Sequence, residues 1–181
     1  MDIITVPDVV LNTPTKPVAV IDKKIKRIVR DMIHTLELQK DPEGVGLAAN
    51  QVGLPYSLFI MKPTKKAVAI VCINPQIMEI EVGAEPVEKP KQDPEEKEKE
   101  KLEGCLSIPN IWGRVNRTKR VKLRYSDLDG KTHEDWFRSF HAIIIQHEMD
   151  HLSGVVFTQR VLEQGNKMYK EVDGELKPFE I

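Results

Sequence analysis

No stretch of the chain holds the roughly 18 consecutive apolar residues that a helix needs to cross a bilayer, so no membrane-spanning helix is expected. The opening residues, MDIITVPD, lack the charged-then-apolar order of a secretory leader, which points to a cytoplasmic protein. Cysteine is scarce. Cys72 and Cys105 are the only two, too few for a disulfide framework, and a reducing compartment keeps both as thiols. An excess of one charge sign is also missing: 27 Lys plus Arg nearly balance 28 Asp plus Glu. Without a basic field to follow a phosphate backbone, no direct nucleic-acid site is expected. At 181 residues the whole chain, 1–181, fits one catalytic-sized domain.

What is present falls into short patterned segments. The proline-punctuated stretch to about Pro17 reads as extended chain laid over a core. From Asp22, a residue suited to capping, Ile25, Ile28, Val29, Met32, Ile33 and Leu36 recur at helical spacing and predict an amphipathic helix ending near Asp41-Pro42-Glu43-Gly44. After the small-residue run GVGLAANQVG, the segments YSLFIM and AVAIVCI flank a KPTKK turn and predict a β-hairpin, with strand character continuing from Ile77 to Val82. Between Ala84 and Lys101, Glu, Lys and Pro dominate, as in an exposed loop. Strand sequence resumes with LEGCLSIP, and VKLRY and THEDWF, joined at Asp129-Gly130, predict a second hairpin. SFHAIIIQHEMDHLSG predicts a helix stopped by Gly154, with Phe140, Ile144, His147 and His151 on one inward row. The class is therefore α+β: antiparallel β-strands around a central metal-binding helix, with an N-terminal packing helix outside.

The chemistry-bearing residues lie in three of these segments. His147 and His151 are four apart, so a helix brings both rings to one face within reach of one ion, and Glu148 lies beside them. A metal held by neutral imidazoles acidifies water, and an adjacent carboxylate can carry the proton. The competing reading is a core helix whose histidines are simply hydrogen-bonded. Cys105, in EGCLS, would add a softer third ligand as a thiolate, but alone it says little, since a lone buried cysteine more often packs; Cys72, inside AVAIVCI, reads as packing. His34, His133 and His141 fall off the ligand face. The run Gly44–Gln51 allows close backbone approach and ends in an amide able to donate to an oxyanion, or else forms a tight packing corner. It lacks the lysine and Ser/Thr of a phosphate-binding loop, which excludes a nucleotide reading.

Taken together, GVGLAANQ, EGCLS and QHEMDH, in that order, resemble the three signature motifs of peptide deformylases. VPDVVL, KPV and RDMIHTL extend the resemblance over most of the chain to about Val161. It implies removal of the formyl group from N-formylmethionyl nascent peptides, with transient ribosome contact. It also implies Cys105, His147 and His151 as metal ligands with water in an open fourth position, and Glu148 as proton carrier. Gln51 and the Leu106 N–H would stabilise the oxyanion. Gly46 would pair with the peptide backbone, and Val45, Ile143 and Ile144 would wall a slot for the methionine side chain. The affinity order alone favours zinc at such a site, yet the resemblance implies Fe²⁺, with Zn²⁺ able to replace it. Glu103 and Arg117 are expected to pair near the ligand loop, and Asp150 to orient a ligating histidine. The loop 84–101 and the tail beyond Arg160, which is unlike the long closing helix of many bacterial members, depart from the pattern.

Two rivals use the same helix. A zinc peptidase would take its third ligand from Glu171 or Glu163 in place of Cys105. A non-catalytic module with a closed structural site needs a fourth protein ligand that the sequence does not offer.

Overall fold

The computed structural model describes residues 1–40, 43–81 and 102–179. The charged stretch from Ala84 to Lys101, Val82 and the Asp41-Pro42 breaker lie outside the described residues. Helix α1, Lys23–Leu38, forms where the apolar periodicity places it. The Asp22 carboxylate accepts from the Ile25 N–H at 2.9 Å, satisfying one of the donors a helix start leaves free, a cap worth about 1 kcal/mol. Ile25, Ile28, Val29, Met32 and Leu36 are buried on one face, against Leu47, Leu58, Ile60 and Ile73.

Two antiparallel sheets carry the rest. The first has the order β1 (Gly46–Ala48), β2 (Leu58–Met61), β3 (Ile70–Ile80), β6 (Arg120–Ser126) and β7 (Thr132–Arg138). Both expected hairpins are here: β2 pairs β3 in the register Leu58↔Ile73, and β6 pairs β7 around Asp129-Gly130. Strand β3 kinks where Asn74 adopts φ 51°. The Asn74 side chain faces the backbone of Val18, accepting from its N–H at 2.7 Å and donating to its carbonyl at 2.9 Å. The second sheet has the order β4 (Leu102–Cys105), β5 (Ile108–Arg114), β8 (Met168–Val172) and β9 (Glu175–Phe179). Here the sequence reading needs correction. LEGCLSIP is not one strand: LEGC is β4, and Leu106-Ser107 turn the chain tightly into β5, with Cys105 paired to Ile108, while the tail past Arg160 builds a further hairpin.

Helix α2, Ser139–Leu152, lies between the sheets' sequence segments and carries the histidines. Ala142, Ile144, Ile145 and Leu152 are buried on the first sheet with Ala48, Phe59, Met61, Cys72, Val121 and Leu123. Cys72 is thus a packing residue, and burial pushes its thiol well above the ordinary range. Phe140 departs from the inward row: one turn before Ile144 the helix has run past the core, and this ring is 48% exposed. The helix stops where expected. Gly154 has φ +74°, and a Cβ there would lie 2.8 Å from the Asn12 backbone. Short helix α3, Phe157–Glu163, then packs Phe157 and Val161 against Cys105, Ile108 and Met168.

The first seventeen residues run extended apart from a 3-10 turn at Val9–Asn12, and they cross the motif segments. Ile4 N–H donates to the Gln51 carbonyl (2.8 Å), Val6 N–H to the Ser107 carbonyl (3.1 Å) and Thr15 N–H to the Leu152 carbonyl (2.9 Å). One extended segment therefore ties together the three pieces of chain that carry the candidate site.

Candidate metal centre

Helix α2 sets two imidazoles one turn apart, with ring centroids 4.9 Å apart and planes at 75°. The β4–β5 return brings Cys105 to them from the other sheet, with Sγ 3.2 Å from His151 Nε2. One donor atom from each of Cys105, His147 and His151 lies within 4.8 Å of the others. Bonds of ~2.0–2.3 Å in tetrahedral array separate sulfur and nitrogen donors by roughly 3.5 Å, so these residues fit a single transition-metal ion with small adjustments. A thiolate and two imidazoles are donors suited to such a metal, and three of them leave a position open. Burial by itself would raise the Cys105 thiol, but the charge of His151 and hydrogen bonds from both histidines bring it well below the ordinary range. That direction favours the thiolate that ligation needs.

The surroundings orient the ligands. His147 Nδ1 lies 3.1 Å from Glu103 Oε2, which leaves its other ring nitrogen for ligation. Glu103 takes a two-pronged contact from Arg117, Nε to Oε1 at 2.8 Å and Nη2 to Oε2 at 3.0 Å. Arg117 also reaches Asp150 Oδ2 at 2.6 Å, and Asp150 Oδ1 receives Arg160 Nη2 at 2.7 Å. The Glu103–Arg117 pair expected from the sequence is present. Asp150, however, touches no histidine: its helical direction sends it to the two arginines, and Glu103 holds the histidine instead. Burial tends to raise the Glu103 carboxyl, yet His147 and Arg117 hold it below the ordinary range.

The Gly44–Gln51 run packs against the ligands. Gln51 Oε1 accepts from the Ala48 N–H at 2.9 Å, and its Nε2 donates to Ser107 Oγ at 3.2 Å and lies 3.6 Å from Cys105 Sγ. Asn50 Nδ2 donates to the His151 carbonyl at 2.6 Å. Glu148 is buried, and among the described residues its Oε2 has no hydrogen-bond partner. Burial pushes its carboxyl up to about 7, against the opposing pull of the two histidines. A Cβ on Gly46 would lie 2.3 Å from Glu148 Oε1, so only glycine leaves room for this carboxylate.

A cavity of about 520 Å³ opens onto these groups. Gln51, Cys105, Leu106, His147 and Glu148 line it, as do Gly46, Val45, Ile143 and Ile144; His151 lies behind, fully buried. Every site residue read from the sequence is thus at this cavity or directly behind it. Trp112 and Phe140 also line it: Trp112 belongs to no spaced motif, and Phe140, read as a core member of the histidine row, lies at the cleft instead. The third-ligand alternatives are elsewhere: Glu171 accepts from Trp112, and Glu163 pairs with Arg160.

A Cys-His-His cluster with an open position, a buried carboxylate beside it whose Oε2 has no partner among the described residues, and an apolar cleft define a metal-dependent hydrolase. The polypeptide deformylase family model matches residues 1–167. A peptide deformylase of Aquifex aeolicus is 39% identical over 164 residues, covering 88% of this chain and 86% of that one. Peptide deformylase 1 of Bacillus subtilis is 37% identical, covering 93% and 92%. The crystal structure of the Thermotoga maritima peptide deformylase superposes with TM-score 0.74 at 34% identity, covering 88% of this chain and 96% of that one. The Synechococcus elongatus enzyme in complex with actinonin gives TM-score 0.73 at 34% identity, covering 88% and 78%. The chain belongs to the polypeptide deformylase family, metallohydrolases that remove the formyl group from the N-terminal methionine of newly synthesised proteins and release formate.

Proposed function

We propose that this chain, as one catalytic domain over residues 1–181, deformylates nascent peptides with the cluster around Cys105 as its active site. The observation that carries the reading is Glu148 beside His147 at the cavity that Cys105 also lines, its Oε2 without a hydrogen-bond partner among the described residues. A divalent cation held by Cys105, His147 and His151 supplies, when bound, a Lewis acid that acidifies water and polarises the formyl carbonyl. Fe²⁺ is the ion of this reading, with Zn²⁺ able to take its place.

Glu148 takes the proton from the attacking water as the new C–O bond forms at the formyl carbon. It returns that proton to the amine nitrogen as the C–N bond breaks, so formate and a free N-terminal methionine leave. Gln51 Nε2 and the Leu106 N–H donate to the oxygen on which negative charge develops, a contribution worth about 10²–10³ in rate per donor in related hydrolytic sites. Gly46 presents bare backbone to the peptide, as an added strand would use it. Val45, Ile143 and Ile144 form the apolar walls for the methionine side chain. Because the substrates emerge from ribosomes, the same reading includes transient ribosome contact and a cytoplasmic site of action. No described helix is long and apolar enough to cross a membrane.

The test is formate release from a formyl-Met peptide by protein purified without oxygen and loaded with Fe²⁺, beside its Glu148→Ala variant. Turnover lost in the variant supports the reading; no formate from folded, metal-filled protein overturns it.

A further inference from the structure

Strand β5 leads away from the Cys105 turn, and Trp112 stands on it between two neighbours: Gly104 of β4 on one side and Tyr169 of β8 on the other. The six-membered ring lies over Gly104, where a Cβ would be only 2.8 Å from ring Cζ3. The residue preceding the ligand Cys105 is thus small enough to leave room for the six-membered ring of the indole. The Trp112 Nε1–H donates to Glu171 Oε2 at 2.8 Å, across 59 residues of sequence. Glu171 belongs to the terminal hairpin β8–β9, whose only described sheet partner outside itself is β5.

A half-buried indole has two soft torsions, and burial alone does not choose between them. The Nε1–H bond to Glu171 at one end of the indole and the close approach of Gly104 to its six-membered ring together favour one orientation. In that orientation Trp112 lines the same cavity as Phe140, a ring 48% exposed at the start of α2. Two aromatic side chains on one cleft, outside the residues that surround the reacting carbon, offer apolar surface to a part of the peptide beyond the methionine.

We propose that Glu171 is a positioning residue: it holds Trp112 as a wall of the cleft, against which an apolar side chain downstream of the formylmethionine packs. The inference rests on the deformylase reading and adds the terminal hairpin to the parts that govern substrate selection.

Three peptides test it on the iron-loaded, full-length enzyme: formyl-Met-Phe-Ala, formyl-Met-Ala-Phe and formyl-Met-Ala-Ala. One of the phenylalanine peptides is expected to have a lower KM than the all-alanine peptide. Glu171→Leu should raise that KM roughly tenfold, the size of effect that apolar contacts command, with the change falling on KM and not on kcat. Glu171→Gln, which keeps an acceptor oxygen, should restore it. A second readout needs no turnover. The chain has two tryptophans, so a Trp136→Phe background leaves Trp112 as the sole tryptophan, excited selectively at wavelengths where tyrosine does not absorb. In that background, acrylamide quenching should rise with Glu171→Leu and stay unchanged with Glu171→Gln. Equal KM values for all three peptides in the wild type, or wild-type discrimination and quenching in Glu171→Leu, overturn the proposal. Absence of formate from every peptide with the metal-loaded wild type instead overturns the deformylase reading, while the quenching still decides whether Glu171 holds Trp112.

Discussion

His147 Nδ1 and Glu103 Oε2 stand 3.1 Å apart, and this contact joins a residue of α2 to one of β4 across the two halves of the site. Glu103 is itself fixed by Arg117, so the ring of a candidate ligand is oriented by an ion pair that is almost wholly buried. Glu103→Ala removes the partner of the ring N–H and leaves Arg117 with Asp150 alone. Metal affinity should drop about 10–100-fold, as is typical when such supporting groups are lost. Competition with a chelator of known affinity measures this; unchanged affinity would show that the contact does not serve the ligand.

Glu148→Gln keeps the shape of the side chain and removes its capacity to carry a proton. The rate of formate release should fall about 10²–10⁴-fold, while metal content stays at the wild-type level. Elemental analysis beside the kinetic assay separates these effects, and a variant retaining full turnover would remove Glu148 from the mechanism.

Gly46→Ala places a methyl group 2.3 Å from Glu148 Oε1 and 2.9 Å from Ile144 Cγ2. Both obstructing atoms end flexible side chains, so the fold can yield, but the carboxylate must move. Activity should fall on the order of 10²-fold, because a displacement of ~1 Å at a reacting group has that effect. Thermal melting should change little. A variant that loses stability and activity in parallel would point to a packing role alone.

Gly154→Ala tests a backbone position, since φ is +74° and the new Cβ would meet the Asn12 backbone at 2.8 Å. Neither obstacle is a movable side-chain tip. Unfolding free energy should fall by about 1–3 kcal/mol, the range for strain at such a position. Urea denaturation measures it, and a wild-type midpoint would contradict the close approach of the N-terminal segment to the end of α2.

The parts of this molecule that were legible in the sequence are those whose physics is local. Helix α1 announces itself through Asp22 and a regular apolar stripe, and Asn/Asp-Gly chemistry at Asp129-Gly130 marks the β6–β7 hairpin. The two histidines of the cluster were legible because they sit one helical turn apart on α2, whereas Cys105, in a distant segment, was joined to them only by the resemblance that EGCLS carries. What escaped depends on pairing across long separations. Asp150 neighbours the histidines in sequence, yet the arginines that claim it come from the β5–β6 connection and from α3. Strands β8 and β9 are short and rich in charge because one face is solvated. Their turn, Asp173-Gly174, with φ 54° and 78°, was the one local signal available. Trp112 could not be placed at the cleft until β5 was known to return beside β4.

Helix α2, fourteen residues long, carries several obligations at once. Ala142, Ile144, Ile145 and Leu152 fill the sheet core, while Gln146 both donates to and accepts from Thr118. His147, Glu148 and His151 serve the cluster, and Asp150 gathers two arginines. Few positions between Ala142 and Leu152 are therefore free to drift, and the helix is poor material for diversification. Room for innovation lies in what faces it across the cleft. Ile108 of β5 and Met168 of β8 are tied to the core beside Cys105, but the cleft-facing and solvated positions of β5 and the appended hairpin can vary, so new peptide preferences can evolve there while the chemistry stays fixed.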